Sequence, residues 1–427
     1  MEMLLGIDKI DITPDHPVSL AGYGHRPASF DGIHHPIYAK VLFIRQHDKD
    51  RGIRNRLLVA ADLIWWGTEL VERLRCELAA RWEMGAEDVI LNASHSHSGP
   101  QTSRLMPSIG KVDERYVHEL ETKLLDGIHR AESNLEPVTV QRGNGACDIG
   151  IQRRKLVEGR IAMSPNEEGP NDQEVTVVRF ATHTGKAKAL IVHYTCHPTT
   201  TSANFVSSEY CGIAMERIER ELGDDCVSLF LQGCCGDVRP ALHRDGRFYS
   251  GNAEDVQRLG TRLVESVTAV LTRPLQTLPS CPPFGLHITR PLPFADMPGL
   301  EELEACKRSD HSGTRNWAEQ LQQCPELIRP AATLDMVRMD IAQGLSLLAM
   351  NAEMVVEYGL YVKMLSGGST LPVAYSNGMI GYVPTAQQLK EGGYEATDSY
   401  IFFGLCSPFT ETAEHDICND FASLLNK

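Results

Sequence analysis

The chain has 427 residues, 42% of them hydrophobic, with a formal net charge of −15. That is length for one large domain or two ordinary ones, with enough apolar residues for a sizeable core. The acidic excess excludes the basic footprint of a nucleic-acid binder and offers nothing to an anionic membrane surface. Twelve cysteines are scattered along the chain without a dense framework. They read as reduced thiols of a cytoplasmic protein.

The opening MEMLLGIDKIDITP carries a three-residue apolar run, too short for a signal-peptide core. No run approaches the roughly 20 apolar residues of a membrane-spanning helix. RLLVAAD, from Arg56 to Asp62, reads as a buried strand. TELVERLRCELAARW follows with Leu70, Val71, Leu74, Leu78 and Trp82 on one helical face. DVILNAS is the next strand and YVHELETKLLDGIHRA the next helix. EVTVVRF and KALIVHYTC form a strand pair. YCGIAMERIERELG is a helix, CVSLFLQG a strand and AEDVQRLGTRLVESVTAVL a long helix. After Pro274 the chain turns proline-rich with one short strand, GLHIT, then polar helical segments from about Glu301 to Ile341. Residues 293–341 are therefore expected as a helical insertion or lid within a single domain spanning 1–427. Strand, helix and strand return in LSLLAMNAEMVVEYGLYVKML and LPVAYSNGMIGYVP. The alternation predicts an α/β fold with mixed β-sheets flanked by helices. No glycine-rich phosphate loop follows a strand, which excludes a nucleotide fold.

Polar residues capable of chemistry recur where apolar strands stop: Asp62, His95 and His97, His197, Asp237, Glu353 and Tyr382. In α/β sheets ligands bind beyond the carboxyl ends of strands, which places a candidate metal site there. In VILNASHSHSGPQ, His95 and His97 are two apart, so an extended backbone points both imidazoles one way. Read from spacing alone, a pair of hydrogen-bonded histidines fits equally well. His193 is the alternative ligand beside His197, and Glu353 reads as an acid opening a helix, stabilised there by the helix dipole. Asp237 sits in a glycine-bracketed turn. Adjacent Cys234 and Cys235 carry no sign of an activated thiol nucleophile.

These stretches resemble the neutral/alkaline non-lysosomal ceramidase family, in the family's order. GIDKIDITPDHPVSLAGYGHR and GIHHPIYAKVLFI are similar to its opening, SHSHSGPQ to its THTHSGP motif and CHPTTTSANFVSSEYCG to its HxTS segment. QGCCGDVRP, NAEMVVEYG and SNGMIGYVPTAQQLKEGGYEA resemble its GDVSPN, PGEFTTMAG and YVTT segments. The resemblance implies a zinc-dependent amidase that cleaves an N-acyl bond, with one Zn²⁺ per chain. It implies His95, His197, Glu353 and Tyr382 as metal ligands. His97 and Arg153 would contact the reacting group, with Arg154 as the rival for Arg153, and Asp237 and Tyr382 would assist catalysis. A His/Glu/Tyr set leaves manganese or iron open as well.

Two departures bear on substrate. The serine of GDVSP, regarded as catalytic in the family, is Arg239 here, and an arginine cannot serve as nucleophile. The chain also ends soon after the tyrosine motif, so the family's C-terminal immunoglobulin-like domain is not expected. The reading is a cytoplasmic metal-dependent hydrolase in which metal-activated water cleaves an amide or related acyl bond of a small polar substrate. Arg239 would bind that substrate. A true ceramidase and a non-catalytic metal- or ligand-binding protein on the same fold are the alternatives. The expected partner is a small molecule, with no stable membrane association and a homo-oligomer left open.

Overall fold

The computed structural model describes residues 2–48, 52–223 and 225–426. Among the described residues, the largest element is a nine-stranded sheet that includes Tyr38–Asp48, Gly52–Ala61, Val89–Ala93, Ala187–Tyr194 and Val227–Gln232. A second sheet of four strands holds Gly285–Pro293, Ala331–Ala342, Leu345–Met350 and Thr370–Val373.

Strand alternation explains the layering. In the large sheet Leu42, Ile44, Leu58 and Ile90 face Val337, Met339, Leu347 and Leu371 of the small sheet across one core. The intervening Val41, Phe43, Leu57, Val59 and Leu91 face the opposite way, onto a core shared with helices Thr68–Trp82 and Glu114–Ser133. Farther along, Val175, Val177, Leu190 and Val192 pack under helices Glu209–Leu222 and Ala253–Leu271. On the outer side of the small sheet, Met336, Leu348 and Met350 share a core with Val356, Val362 and Phe421 of the later helices. The order is helix, sheet, sheet, helix. Sheets buried on both faces explain the near-continuous apolar strands.

Most expected elements form. The helix over 68–82 buries all five residues assigned to its apolar face. EVTVVRF and KALIVHY are antiparallel neighbours. Three expectations are corrected. GLHIT begins a nine-residue strand, Gly285–Pro293, rather than an isolated piece. Of the segment 293–341, only the part before Ala331 is helical, in Leu300–Cys306 and Ser312–Gln323. Ala331–Ala342 is a strand paired with both its neighbours. Its polar positions, such as Asp335 and Arg338, obscured the alternation because they form ion pairs with Arg75 and Asp340. Glu353 does not open a helix; it forms a short parallel bridge with Tyr382, and the helix begins at Val356.

Two helices of the insertion pack Leu303, Trp317, Ala318 and Leu321 onto Ile401. Trp317 Nε1 donates to the Leu405 carbonyl at 2.7 Å. The helices Leu300–Cys306 and Ser312–Gln323 thus buttress the segment that follows Tyr394.

Candidate metal centre

The carboxyl ends of three parallel strand pairs meet between the two sheets. They are Gly52–Ala61 with Val89–Ala93, Ala187–Tyr194 with Val227–Gln232, and Leu345–Met350 with Thr370–Val373. His95, His197 and Glu353 lie just past three of these ends. His95 does not continue the strand: its φ is +68°, a left-handed conformation that non-glycine residues seldom adopt and that recurs at functional sites. Ser94 N and Ser96 N donate to the Ala61 and Leu63 carbonyls at 2.9 and 3.0 Å, which holds the turn. His95 and His97 therefore converge through a turn, not through strand alternation, and their Nε2 atoms stand 3.2 Å apart.

The ring nitrogens decide what the cluster can hold. His95 Nδ1 lies 2.9 Å from the Ile64 carbonyl, and His197 Nδ1 lies 2.5 Å from the Cys235 carbonyl and 3.0 Å from that of Val238. Each carbonyl requires an N–H, which leaves each Nε2 with a lone pair. Both Nε2 atoms lie 3.3 Å from Glu353 Oε2. Three acceptors thus face one another in a buried space, with His95, His197 and Glu353 0%, 1% and 2% exposed. Such an arrangement is repulsive unless a cation sits among the acceptors. Two imidazoles and a carboxylate are also the donor types zinc prefers, so the residues fit a zinc ion. Tyr382 OH stands 3.5 Å from His197 Nε2.

The site is braced on all sides. Tyr375 OH lies 3.4 Å from Glu353 Oε2. Gln232 Nε2 donates to the Ser94 and Cys196 carbonyls, both at 2.9 Å, and so ties together the residues that precede His95 and His197. The Gln232 backbone N–H in turn donates to Asn92 Oδ1. Gly236 packs its Cα against the Glu353–Met354 backbone, and a Cβ there would stand 2.9 Å from both carbonyl oxygens. Gly22, at φ +98°, seats the His97 ring; a Cβ on it would fall 2.3 Å from His97 Nδ1.

Arg153 reaches Tyr382 OH through Nη2 at 3.0 Å and Glu395 through Nε at 2.7 Å. Arg154 grips the other Glu395 oxygen at 2.9 Å, so Arg153 and not Arg154 faces the cluster. Burial works against charge on Arg153, yet the neighbouring Tyr382 and Glu395 hold its pKa well above the ordinary value. Burial and the Glu353 charge push the Tyr382 hydroxyl well above its usual range, so it keeps its proton. Burial and the nearby histidines depress His97 well below 6.5, which keeps it neutral. Tyr23 packs over His97 at 5.1 Å between ring centroids, and the Arg26 guanidinium lies over Tyr23.

Other expected residues lie elsewhere. Asp237 is fully buried and accepts from Val356 N, Gln152 Nε2 and Gln388 Nε2 at 2.9, 3.0 and 3.0 Å. It anchors the helix after Glu353 and does not face the cluster. Burial raises its pKa, and burial with the Asp237 charge raises that of the adjoining Glu357 to about 8. Asp62 caps the sheet by accepting from Tyr38 N. His193 Nε2 lies 2.7 Å from the Pro372 carbonyl, away from the cluster. Burial pushes the Cys234 and Cys235 thiols up, so neither supplies a thiolate. Arg239 stacks on Phe248 at 4.5 Å, with Nη1 3.9 Å from Met163 Sδ. Gln232, Tyr375, Tyr23 and Glu395 carry no spacing signal that marks them in the sequence.

A family model described as neutral/alkaline non-lysosomal ceramidase, N-terminal, matches residues 3–255, more than half of the chain. The chain belongs to this family. His95, His97, Arg153 and His197 lie within the matched residues; Glu353 and Tyr382 lie beyond them. Neutral ceramidase 3 of Arabidopsis thaliana is 24% identical over 200 residues, 42% of this chain and 25% of that protein. The match thus spans about a quarter of that relative's length. The crystal structure of neutral ceramidase from Pseudomonas aeruginosa superposes with a TM-score of 0.76 at 18% identity. A ceramidase complexed with C2 gives 0.76 at 17%. Both matches cover all of this chain and 75% of the other. The ceramidase fold therefore extends past the matched residues to include Glu353 and Tyr382.

Proposed function

We propose that the protein is a metal-dependent amidase that hydrolyses an N-acyl or related acyl bond of a small polar substrate. One observation carries the reading: two imidazole lone pairs and a carboxylate oxygen converge at 3.3 Å with their outer nitrogens tied to carbonyls. His95, His197 and Glu353 would hold a zinc ion, with Tyr382 beside them. Zinc bound there supplies Lewis acidity to the acyl carbonyl and makes water nucleophilic at neutral pH.

The chain's own residues shape the rest of the chemistry. Arg153, kept charged by Glu395, donates to Tyr382 OH, which leaves the phenol proton free for a substrate oxygen. With the His95 lone pair committed to metal, the neutral His97 ring can turn an N–H toward the same oxygen. Donors aimed at developing negative charge in a dry site are the strongest catalytic device available to such residues. Family membership favours ceramide as a second reading, but Arg239 replaces the serine of the family motif and weighs against it. The free, largely buried thiols support a cytoplasmic setting.

The test is metal analysis of native protein joined to an amidase assay on a series of N-acyl amines. We expect one zinc per chain, and loss of both metal and activity in His95→Ala. Substoichiometric zinc, or an unchanged rate in His95→Ala, overturns the reading.

A further inference from the structure

We propose that Arg239 binds a carboxylate on the substrate, so that the enzyme selects anionic N-acyl compounds over neutral ones. The inference rests on the amidase reading and deepens it. Arg239 lies in the strand Val238–Pro240, directly opposite Ile151 of the strand Gly150–Val157. Arg153 lies two residues on along that strand, and burial together with its neighbouring charge lowers the Arg239 pKa, so the two guanidiniums act on each other. The backbone fixes the distance to the metal site as well. Val238, the preceding residue, accepts from both the backbone N–H and Nδ1 of His197 through its carbonyl.

The two arginines differ in their partners. Arg153 is neutralised by Glu395 at 2.7 Å. Among the described residues, Arg239 has no carboxylate partner. Its Nη1 edge rests against Met163, and its plane covers Phe248. Its Nε is buried without a hydrogen-bond acceptor. A buried donor left unpaired is costly, and an oxyanion at the Nε–Nη2 edge would satisfy it. That edge presents two parallel N–H groups, the spacing a planar carboxylate accepts bidentately. Stacking on Phe248 holds the guanidinium plane in place, so little rotamer freedom remains to be lost on binding. The setting also favours a local cation: a protein of net charge −15 repels an anionic substrate everywhere except where positive groups cluster.

The experiment compares N-hexanoylglycine with its primary amide, two substrates that differ only in the distal charge. The zinc-loaded wild-type protein should favour the acid in kcat/KM. In Arg239→Gln that preference should fall ten- to a hundredfold, carried by KM, with partial recovery in Arg239→Lys. Equal use of both compounds by the wild type, or a preference in Arg239→Gln within twofold of wild type, overturns the proposal and leaves the amidase reading standing. If neither compound is hydrolysed by zinc-loaded protein, the amidase reading fails for this class, and calorimetry with the same pair decides the role of Arg239. Tighter binding of the acid, lost in Arg239→Gln, supports it; equal binding overturns it.

Discussion

At the scale of single residues, charge is placed by pairing and by burial in opposite senses. Arg153 is buried yet charged because Glu395 and Tyr382 meet its donors. Removing it should act on the transition state more than on binding. Arg153→Met leaves the Tyr382 hydroxyl without the donor that orients it, and we expect kcat to fall about 10²–10³-fold with KM little changed, the size of a lost oxyanion donor, measured by steady-state kinetics on metal-loaded protein. His97→Ala separates two roles for the histidine pair. If His97 serves the reacting oxygen, the variant should keep its zinc and lose most of its rate; loss of zinc would make it a ligand. Asp62 shows the opposite effect of burial, which raises its carboxyl to about 7 against the pull of Lys40. The unfolded chain releases that proton near pH 3.9. The contribution of Asp62 to native stability thus falls as pH rises from about 4 to 7 and is flat above. Asp62→Asn removes this dependence. Its stability relative to wild type should increase from pH 5 to pH 8, by up to about 2.6 kcal/mol, in urea unfolding at the two pH values.

At the scale of elements, the ligands hang from strand ends whose spacing is set by buried amides. Gln232 bridges the carbonyls of Ser94 and Cys196, and Asn92 Nδ2 donates to the Ala374 carbonyl at 2.7 Å. Together they link the strand ends that precede His95, His197 and Tyr375. Gln232→Leu keeps the volume but loses these two bonds and the one that Oε1 accepts from Cys196 N, leaving the Ser94 carbonyl and the Cys196 N–H without partners in a dry interior. Supporting groups of this kind are worth 10–100-fold in metal affinity. We expect a loss of that size in competitive zinc titration, with near-native far-UV circular dichroism. The insertion before Ala331 belongs to the same scale. Trp317 and Leu321 press on Ile401, and Tyr394 and Phe403 of that neighbouring segment pack on Tyr382 at 5.5 and 5.7 Å.

At the scale of the whole molecule, the candidate site lies where two sheets meet, so a metal bound there would be coupled to the fold. The large sheet supplies His95 and His197, and the connection after a strand of the small sheet supplies Glu353. A metal held by both joins the two layers and stabilises only the folded state. At a hundredfold excess over its dissociation constant, zinc adds about 2.7 kcal/mol. Chelation should therefore lower Tm and zinc should restore it, whereas His95→Ala should melt at one temperature with or without zinc, by calorimetry.

The apolar periodicity was enough for the helix over 68–82 and for most strands, because side chains alternating between two buried faces leave a local pattern. The order of motifs marked His95, His197, Glu353 and Tyr382, and the fold brings these four side chains together. Local pattern failed where polar groups inside a strand form ion pairs, Asp335 with distant Arg75 and Arg338 with Asp340 two residues on. It failed again at His95, whose left-handed turn depends on carbonyls of another strand. Gln232, Tyr375 and Glu395 are ordinary residues in sequence, and only packing brings them to the site. The sequence by itself determined the layers and the donor set, because burial and ligand chemistry act through residue type. Only the tertiary structure decided which nitrogens face inward, which arginine is paired and which stands free, because those depend on contacts between residues 31 to 242 positions apart.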